Sequence, residues 1–262
     1  MQLQVIAYAR NGFSQKFGIP RQSRENSHIE THIVFTPEYR IREALRGIEA
    51  YSHLWLLWGF HEAIRREGEE AMRREGDEAR RREGEEAKGE EAKGKEAKGK
   101  ESWSPTVRPP RLGGNKRMGV FATRSPFRPN PIGLTSVKLL RVEETKDKGL
   151  VLVVSGADLL DGTPIYDIKP YLAFSDSHPQ AKSGFAEATQ DYHLAVSIEA
   201  DLLQSALRNH CPWEAIEEIL SQDPRPAYQH DPERIYHMDY DGWAVDFTVN
   251  SATVCIKNIA KK

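Results

Sequence analysis

The chain has 262 residues, of which 39% are hydrophobic and 29% are charged, and its formal net charge is −2. This length fits one large domain or two small ones. The near-neutral charge excludes a chain that is basic throughout, so an RNA partner would need a local patch of lysine and arginine.

The cysteines and the N-terminal sequence narrow the protein class further. Cys211 and Cys255 form no CxxC motif and no cluster with histidine, which argues against a disulfide framework and a structural zinc site. The first residues, MQLQVIAYARNG, lack the pattern of a signal peptide. No apolar run approaches the ~20 residues that span a bilayer. We expect a soluble, cytoplasmic protein with no metal and no membrane partner.

The first sixty residues alternate between strand patterns and turns. Residues 3–8 alternate in polarity and residues 29–35 are rich in β-branched side chains, so both segments predict strands. A Thr-Pro-Glu sequence then resembles a helix start, and it predicts a helix over residues 37–46 that packs on the sheet. Residues 53–60, HLWLLWGF, are typical of a strand buried on both faces.

Residues 64–101 differ from the rest of the chain. The similar units RREGEEAM, RREGDEAR and RREGEEAK follow one another directly. The segment has almost no large apolar residue beyond Met72, so it cannot bury a core. Each repeat contains a glycine, which costs a helix ~1 kcal/mol relative to alanine. We interpret the segment as a solvated, partly helical or disordered insertion at a loop tip. An RNA-contacting arm is the alternative, and the equal supply of glutamate argues against it.

Residues 118–134, MGVFATRSPFRPNPIGL, are the stretch around which the chain is organised. Residues 119–122 predict a short strand, and a second strand is predicted over residues 134–142. Three prolines lie in the loop between them, and each fixes its own φ and holds the preceding residue extended. The sequence therefore predicts a stiff loop between two strands.

Cations are concentrated in this loop and in the loop before it. Arg124 and Arg128 lie in the stiff loop, where guanidinium groups suit the binding of a carboxylate or a phosphate. The preceding loop, residues 103–117, combines prolines and glycines with further cations, which suits contact with an RNA backbone. These further cations are Arg108, Arg111, Lys116 and Arg117. Solvated arginines and lysines in ordinary loops are the alternative in both cases.

A second motif, GADLLDGTP, follows a strand predicted over residues 150–154. Its two carboxylates, Asp158 and Asp161, lie on either side of two leucines at an Asp-Gly turn. Carboxylates at a tight turn can accept hydrogen bonds from ribose hydroxyls or from an α-ammonium group. They can equally cap the turn itself, and the sequence leaves both roles open.

The composition changes near residue 175, after which a small α+β unit is predicted. Strands are expected over residues 192–198 and 253–259, helices over residues 200–209 and 213–221, and a hairpin around the Asp-Gly turn at residues 241–242. The motif DPRPAY lies between the helices and the hairpin. It places Arg225 between two prolines and offers Tyr228 to stack on a base.

The motifs GVFATRSPFRPNPIG and GADLLDGTPIYDIKPYL resemble the signature of the TrmO (TsaA-like, YaeB) family. The resemblance runs from near Val5 to about Tyr171, with a weaker match at DPRPAY, and the 64–101 insertion interrupts it. It implies a mainly β fold with α+β additions. Residues 1–174 are then a small, non-Rossmann, β-barrel-like domain that binds S-adenosylmethionine. Residues 175–262 form a C-terminal α+β domain that engages tRNA, and the protein is a homodimer.

The resemblance also implies a set of cofactor-binding residues, drawn from several segments of the chain. Besides Arg124, it assigns Pro20, Arg21, Gln22, His61, Glu62, Leu134, Asp158, Leu159, Leu160 and Asp161. Leu134 is expected to line the adenine pocket. Arg124 is expected to bind the methionine carboxylate or the substrate's own carboxylate. The candidate RNA contacts are the loop cations with Arg128, Arg225 and Tyr228.

The activity that the resemblance implies is methyl transfer from S-adenosylmethionine to N6 of threonylcarbamoyladenosine, at position 37 beside the tRNA anticodon. Such a reaction needs alignment of donor and acceptor and no metal. Asp158, Asp161 and His61 are chemically possible bases, and none is assigned. A non-catalytic RNA- or nucleotide-binding module is one alternative, and a methyltransferase for another base or a small molecule is a second.

Overall fold

A computed structural model describes residues 3–20, 27–60, 103–109, 116–189, 192–225 and 231–262. The strands in these ranges are β1 (Ala7–Arg10), β2 (Glu30–Phe35), β3 (His53–Gly59), β4 (Thr106–Val107), β5 (Met118–Gly119), β6 (Ile132–Thr145), β7 (Gly149–Ser155), β8 (Pro164–Pro170), β9 (Ala195–Ser197), β10 (Tyr236–Tyr240), β11 (Trp243–Asn250) and β12 (Thr253–Lys261). The α-helices are α1 (Ala173–Asp176), α2 (Ala200–Arg208) and α3 (Trp213–Ser221). The mainly β class with α+β additions is therefore confirmed.

Six strands form one closed sheet in the order β1-β2-β7-β6-β3-β8, and β8 pairs back to β1. Every neighbouring pair is antiparallel. The long strand β6 pairs with β3 through its first half and with β7 through its second half. The register shifts between Leu139 and Arg141, and such irregularities bend a strand, which helps the sheet to close.

The interior of this closed sheet is filled by alternate side chains of its strands. On β3, Leu54, Leu56 and Trp58 point inward and are at most 8% exposed. Ile33 on β2 and Ile165 on β8 belong to the same buried cluster. The closed sheet thus has its own apolar core, as the period-2 pattern of these strands requires.

A second sheet, in the order β10-β11-β12-β9, packs with α2 and α3 around another core. Its β10–β11 turn contains Asp241 and Gly242 with φ of +47° and +75°. Two consecutive residues with positive φ are typical of a type I′ hairpin, which Asp-Gly favours. The hairpin and both helices expected in this unit are confirmed.

The second core extends beyond the C-terminal unit, because it also contains residues from the N-terminal segment. Phe13 and Ile29 are 1% and 0% exposed within it, and Phe17, Ile19 and Leu160 pack against it. The Phe13 ring lies 5.0 Å from that of Tyr240. The segment before β2 therefore joins the two cores.

The first predicted strand is displaced, since β1 covers Ala7–Arg10 and not residues 3–8. Two further local predictions are wrong. No continuous helix forms over residues 37–46; three short 3₁₀ turns, Pro37–Tyr39, Arg42–Leu45 and Ile48–Ala50, replace it. The Arg40 side chain donates to the Phe35 and Asp147 carbonyls, and Leu45 and Ile48 pack on the sheet core. These tertiary contacts outweigh the helix propensity of a segment too short to be a stable helix alone.

The strand predicted over residues 119–122 is also largely wrong. Only Met118 and Gly119 pair, with β4, and Val120–Ala122 form a 3₁₀ turn. This turn buries Val120 and leaves Phe121 outside. Residues 61–102, which include the repeats, lie outside the described residues. Within the described ranges, no helix is long and apolar enough to cross a membrane.

Candidate functional site

A hydrogen-bonded chain of three side chains lies at the interior of the closed sheet. The Trp58 indole Nε1 donates to the Thr135 hydroxyl at 3.0 Å, and that hydroxyl donates to Asp158 Oδ1 at 2.8 Å. Trp58 lies opposite Gly133 in the β3–β6 register. A Cβ at Gly133 would lie 2.2 Å from the indole, so glycine leaves the space that this ring occupies.

The electrostatic setting of Asp158 is unusual. Burial raises the pKa of its carboxyl, while the Thr135 hydroxyl, a backbone N–H and the Arg124 guanidinium oppose part of this shift. A carboxylate that is removed from water is strongly attracted to a cation that replaces the lost solvation. Asp158 therefore suits a positively charged ligand group.

Arg124 is exposed on a loop that local hydrogen bonds hold in place. The Thr123 hydroxyl donates to the Val120 carbonyl at 2.9 Å and accepts from the Ser125 N–H at 3.2 Å. The Ser125 hydroxyl in turn accepts from the Phe127 N–H at 3.3 Å. Arg124 is near enough for its positive charge to lower the pKa of the Asp158 carboxyl, and its side chain is exposed and available to an anion.

Asp161 has a different environment from Asp158. Its carboxylate accepts from Arg10 at 3.2 Å and from the Asn11 N–H at 3.1 Å. The side-chain amide of Asn11 also donates to the Leu159 carbonyl at 2.9 Å. Asp161 therefore ties the GADLLDGTP loop to the end of β1, and its oxygens already have partners within the protein.

The remaining cofactor candidates do not share one face. Leu134 projects from the outer face of β6 and is 53% exposed, whereas Leu159 is buried in the closed-sheet core. Leu160 packs against the second core, and the half-buried Pro20 follows Ile19, which packs there too. The other predicted cofactor residues, Arg21, Gln22, His61 and Glu62, lie outside the described residues.

The predicted RNA contacts are likewise spread over the surface. Lys116 and Arg117 are exposed, and Arg117 donates to the Thr106 hydroxyl at 3.0 Å. Arg128 donates to the Thr123 carbonyl at 3.3 Å, and Arg108 is half-buried. Arg111 and Tyr228 lie outside the described residues.

Arg225 is a special case among these candidates, because its side chain is only 8% exposed. It binds both carboxylate oxygens of Asp223, at 2.7 Å and 2.9 Å, and the Tyr192 hydroxyl donates to the same carboxylate at 3.1 Å. This network shapes the start of the DPRPAY segment.

Sequence reasoning did not single out Trp58 and Thr135. Trp58 reads as one more apolar residue of a buried strand, and Thr135 as an ordinary strand residue. The available signal is the Gly133-Leu-Thr135 order, in which a glycine and a hydroxyl replace large side chains on the inward face of a strand. Among the side chains that the structure describes, no group of three or more His, Cys, Asp or Glu could hold a metal ion.

Two family models match nearly the whole chain. The tRNA-methyltransferase O N-terminal domain matches residues 8–84 and 93–177, and the TrmO C-terminal domain matches residues 191–262. The chain belongs to the TrmO family. The family resemblance seen in the two motifs is therefore confirmed.

Individual TrmO relatives agree with this assignment. A protein of Escherichia coli named tRNA (adenine(37)-N6)-methyltransferase is 38% identical over 254 residues, which cover 95% of this chain and 91% of the relative. A Pseudomonas aeruginosa protein named putative S-adenosylmethionine-dependent methyltransferase RcsF is 37% identical, and the match covers 88% of this chain and 85% of that protein. The crystal structure of TrmO from P. aeruginosa superposes with a TM-score of 0.69 at 29% identity, covering 100% of this chain and 97% of that one.

Proposed function

We propose that this chain is an S-adenosylmethionine-dependent tRNA methyltransferase that methylates N6 of adenosine 37, in its threonylcarbamoyl form. The observation that carries this proposal is the near end-to-end match to the E. coli enzyme of that name. Both family models agree with it across the N-terminal and C-terminal parts.

The charges of Asp158 and its neighbour Arg124 are complementary to those of the cofactor. S-adenosylmethionine carries a sulfonium and an α-ammonium group, both positive, and one carboxylate. Asp158 supplies a half-buried negative charge and the nearby Arg124 supplies an exposed guanidinium. We propose that these two residues hold the charged part of the cofactor. The resemblance also assigns Leu134 to the adenine, and its apolar side chain is exposed. The Leu159 and Leu160 side chains pack into the two cores, so they would shape the loop that carries Asp158.

The cofactor supplies the methyl group, and the protein's task is alignment. Trp58 and Thr135 fix the Asp158 carboxylate through two successive hydrogen bonds, so its position does not depend on the ligand. Such preorganisation matters because a displacement at carbon requires the reacting atoms in line at near-attack distance. Asp161 is the poorer candidate for a base, since its oxygens already bind Arg10 and Asn11.

The proposal also includes the tRNA contacts, the cofactor domain, the oligomeric state and the location of the protein. The loop cations at Arg108, Arg111, Lys116, Arg117 and Arg128 would contact the tRNA backbone. The C-terminal unit would engage the tRNA as well, with Tyr228 as a contact and with Arg225, which is buried against Asp223, shaping the DPRPAY segment. We also propose that the closed sheet is the barrel-like cofactor domain, and that the protein works as a homodimer in the cytoplasm.

The test is incubation with S-adenosylmethionine and two tRNA preparations, one with and one without threonylcarbamoyladenosine. Digestion and mass spectrometry of the nucleosides should show one added methyl on threonylcarbamoyladenosine and no new methyl on the unmodified tRNA. Methylation of both preparations would restrict the proposal to a less selective enzyme. Absence of any methylation by folded protein would contradict the proposal and favour an RNA-binding module.

A further inference from the structure

Two aromatic side chains stand exposed beside the proposed site. Trp103 is 48% exposed and Phe121 is 73% exposed. Their ring centroids lie 6.5 Å apart and their planes differ by 23°. We call this pair the aromatic platform. Exposure of two neighbouring large aromatics is costly in water, so their persistence on a surface points to a ligand.

The backbone holds the aromatic platform in a fixed position. The Val120 N–H donates to the Pro105 carbonyl at 3.0 Å, and the Ser104 N–H donates to the Phe127 carbonyl at 3.0 Å. Val120 itself is 1% exposed and anchors the 3₁₀ turn. Phe121 is thus held outward by a turn whose two neighbouring segments are tied together.

A cavity of about 260 Å³ opens next to Phe121. Among the residues that the structure describes, Arg128, Pro129 and Asn130 also line it, so an aromatic face, a guanidinium and an amide border one small space. Asn130 is exposed and can both donate and accept hydrogen bonds. This combination suits a flat heterocycle with polar edges, because the ring stacks while the edges bond to the amide.

The charge around the aromatic platform indicates which polymer carries that heterocycle. Residues 102–134 contain no Asp or Glu, and they contain six cations: Arg108, Arg111, Lys116, Arg117, Arg124 and Arg128. The whole chain has a net charge of −2, so this segment carries a local excess of positive charge. Aromatic faces within a positive groove are the usual means of binding single-stranded nucleic acid.

The distance along the chain places the aromatic platform near the proposed reaction. Phe121 precedes Arg124 by three residues, which span at most about 11 Å. Arg128 bonds to the Thr123 carbonyl, so the cavity and the Arg124 loop form one unit. A group stacked on Phe121 is therefore close to the loop that carries Arg124 of the proposed cofactor site.

We propose that Phe121, backed by Trp103, stacks on an unpaired nucleobase adjacent to the adenosine that is methylated, with Asn130 bonding to the edge of that base and Arg128 to the RNA backbone. The proposal deepens the proposed function and rests on it for the identity of the RNA. It makes the aromatic platform a positioning surface, which presents the target adenosine by holding its neighbour.

The test uses an RNA stem-loop that carries the anticodon loop, with 2-aminopurine beside the target adenosine. Stacking on an aromatic ring quenches 2-aminopurine, so wild-type protein should quench it. Phe121→Ala should lose the quenching and bind the RNA about tenfold more weakly, since stacking supplies much of the affinity for unpaired bases. Phe121→Trp should retain both. The matched control is Phe174→Ala, which removes another aromatic that is 90% exposed and should change neither.

The outcomes separate this proposal from the proposed function. Unchanged binding and quenching in Phe121→Ala, with tRNA methylation by the wild type intact, would overturn the platform and leave the function standing. Loss of quenching in Phe121→Ala, with no methylation by the wild type, would support the platform and overturn the function. Sedimentation compares the oligomeric mass of Phe121→Ala with that of the wild type. A changed mass in the variant, with its RNA affinity per protomer unchanged, would identify the surface as a protein interface and overturn the proposal.

Discussion

Asp158 and Asp161 belong to one motif, but they differ in burial and in the partners of their carboxylates. The Asp158 carboxyl is partly withdrawn from water, and its pKa is raised mainly by burial. Asp161 is ion-paired to Arg10, with both side chains partly exposed. A carboxyl whose charged form is penalised by burial and supported by a nearby cation is a frequent mark of a binding site. We therefore infer that Asp158, and not Asp161, is the carboxylate that binds the ligand.

Asp158→Asn should make the protein more stable and bind S-adenosylmethionine more weakly. The amide removes a charge whose burial costs free energy, so the melting temperature at pH 7 should rise by about 2 °C. Cofactor affinity should fall at least about tenfold, because a charge that faces the ligand is lost. Differential scanning calorimetry and isothermal titration calorimetry measure the two effects.

The stability gain should depend on pH in a defined direction. A raised pKa in the folded state means that the charged form is penalised by folding, so the penalty is complete above the folded pKa. It disappears below the unfolded value of about 4, where both states are neutral. Asp161→Asn is the control and should give no such gain. A gain for Asp158→Asn that is as large at pH 3 as at pH 7 would contradict this account.

At the scale of elements, the close approach of β3 and β6 decides the geometry of the site. Gly133 leaves room for the Trp58 ring, and that ring bonds to Thr135, which bonds to Asp158. The two strands are paired in register along the whole of β3. A change at Gly133 should therefore reach Asp158 through packing.

Gly133→Ala should destabilise the protein by about 1–3 kcal/mol, because the added methyl group overlaps the indole and forces a shift. The same variant should weaken cofactor binding by displacing Thr135. Gly119→Ala is the matched control, since a Cβ there meets nothing within 4 Å and the backbone φ of −57° suits alanine. Urea unfolding of both variants tests this, and equal stabilities would refute the packing argument.

The elements differed in how far their sequences predicted them. β3, β7 and the β10–β11 hairpin follow from apolar runs and an Asp-Gly turn, which are local signals. The helix expected over residues 37–46 fails because Arg40, Leu45 and Ile48 bond or pack to distant strands, and no local pattern contains those partners. The strand over residues 119–122 ends after Gly119 because the Thr123 N–H and hydroxyl both donate to the Val120 carbonyl, which closes a 3₁₀ turn.

At the scale of the whole molecule, the two cores are joined by the N-terminal segment. Phe13 is buried against Tyr240 of the second core, while the preceding strand β1 belongs to the closed sheet. Asp241 N–H also donates to the Gly12 carbonyl at 3.0 Å. We therefore expect the two units to stabilise each other.

Phe13→Ala should lower the free energy of unfolding by about 3–5 kcal/mol, the range for removing a buried phenylalanine. Circular dichroism of β-structure and tryptophan fluorescence, which reports on Trp58 in the closed sheet and on Trp243 in the second core, should still report one coincident transition. The control Phe174→Ala removes an exposed aromatic side chain. Its free energy of unfolding should stay within about 0.5 kcal/mol of the wild-type value. Two separated transitions in the wild type would show that the cores are independent.

The alternating patterns predicted the mainly β class of the fold, but they did not predict the order of the strands in the closed sheet. Alternation within each strand indicates which face is buried, and it carries no information on which strand is the neighbour. The order β1-β2-β7-β6-β3-β8 depends on pairings between distant residues, such as Ala7 with Ile165. The site shares this limit, since Thr135 and Asp158 meet only because β6 and the loop after β7 are brought together.

We propose that Arg124 and Asp158 bind S-adenosylmethionine, and calorimetric titration of the cofactor is the first test of this claim. We expect saturable binding to the wild type, about tenfold weaker binding to Arg124→Ala, and unchanged binding to Arg117→Ala, which removes another exposed arginine nearby. No binding by folded wild type, or equal binding by both variants, would contradict the claim.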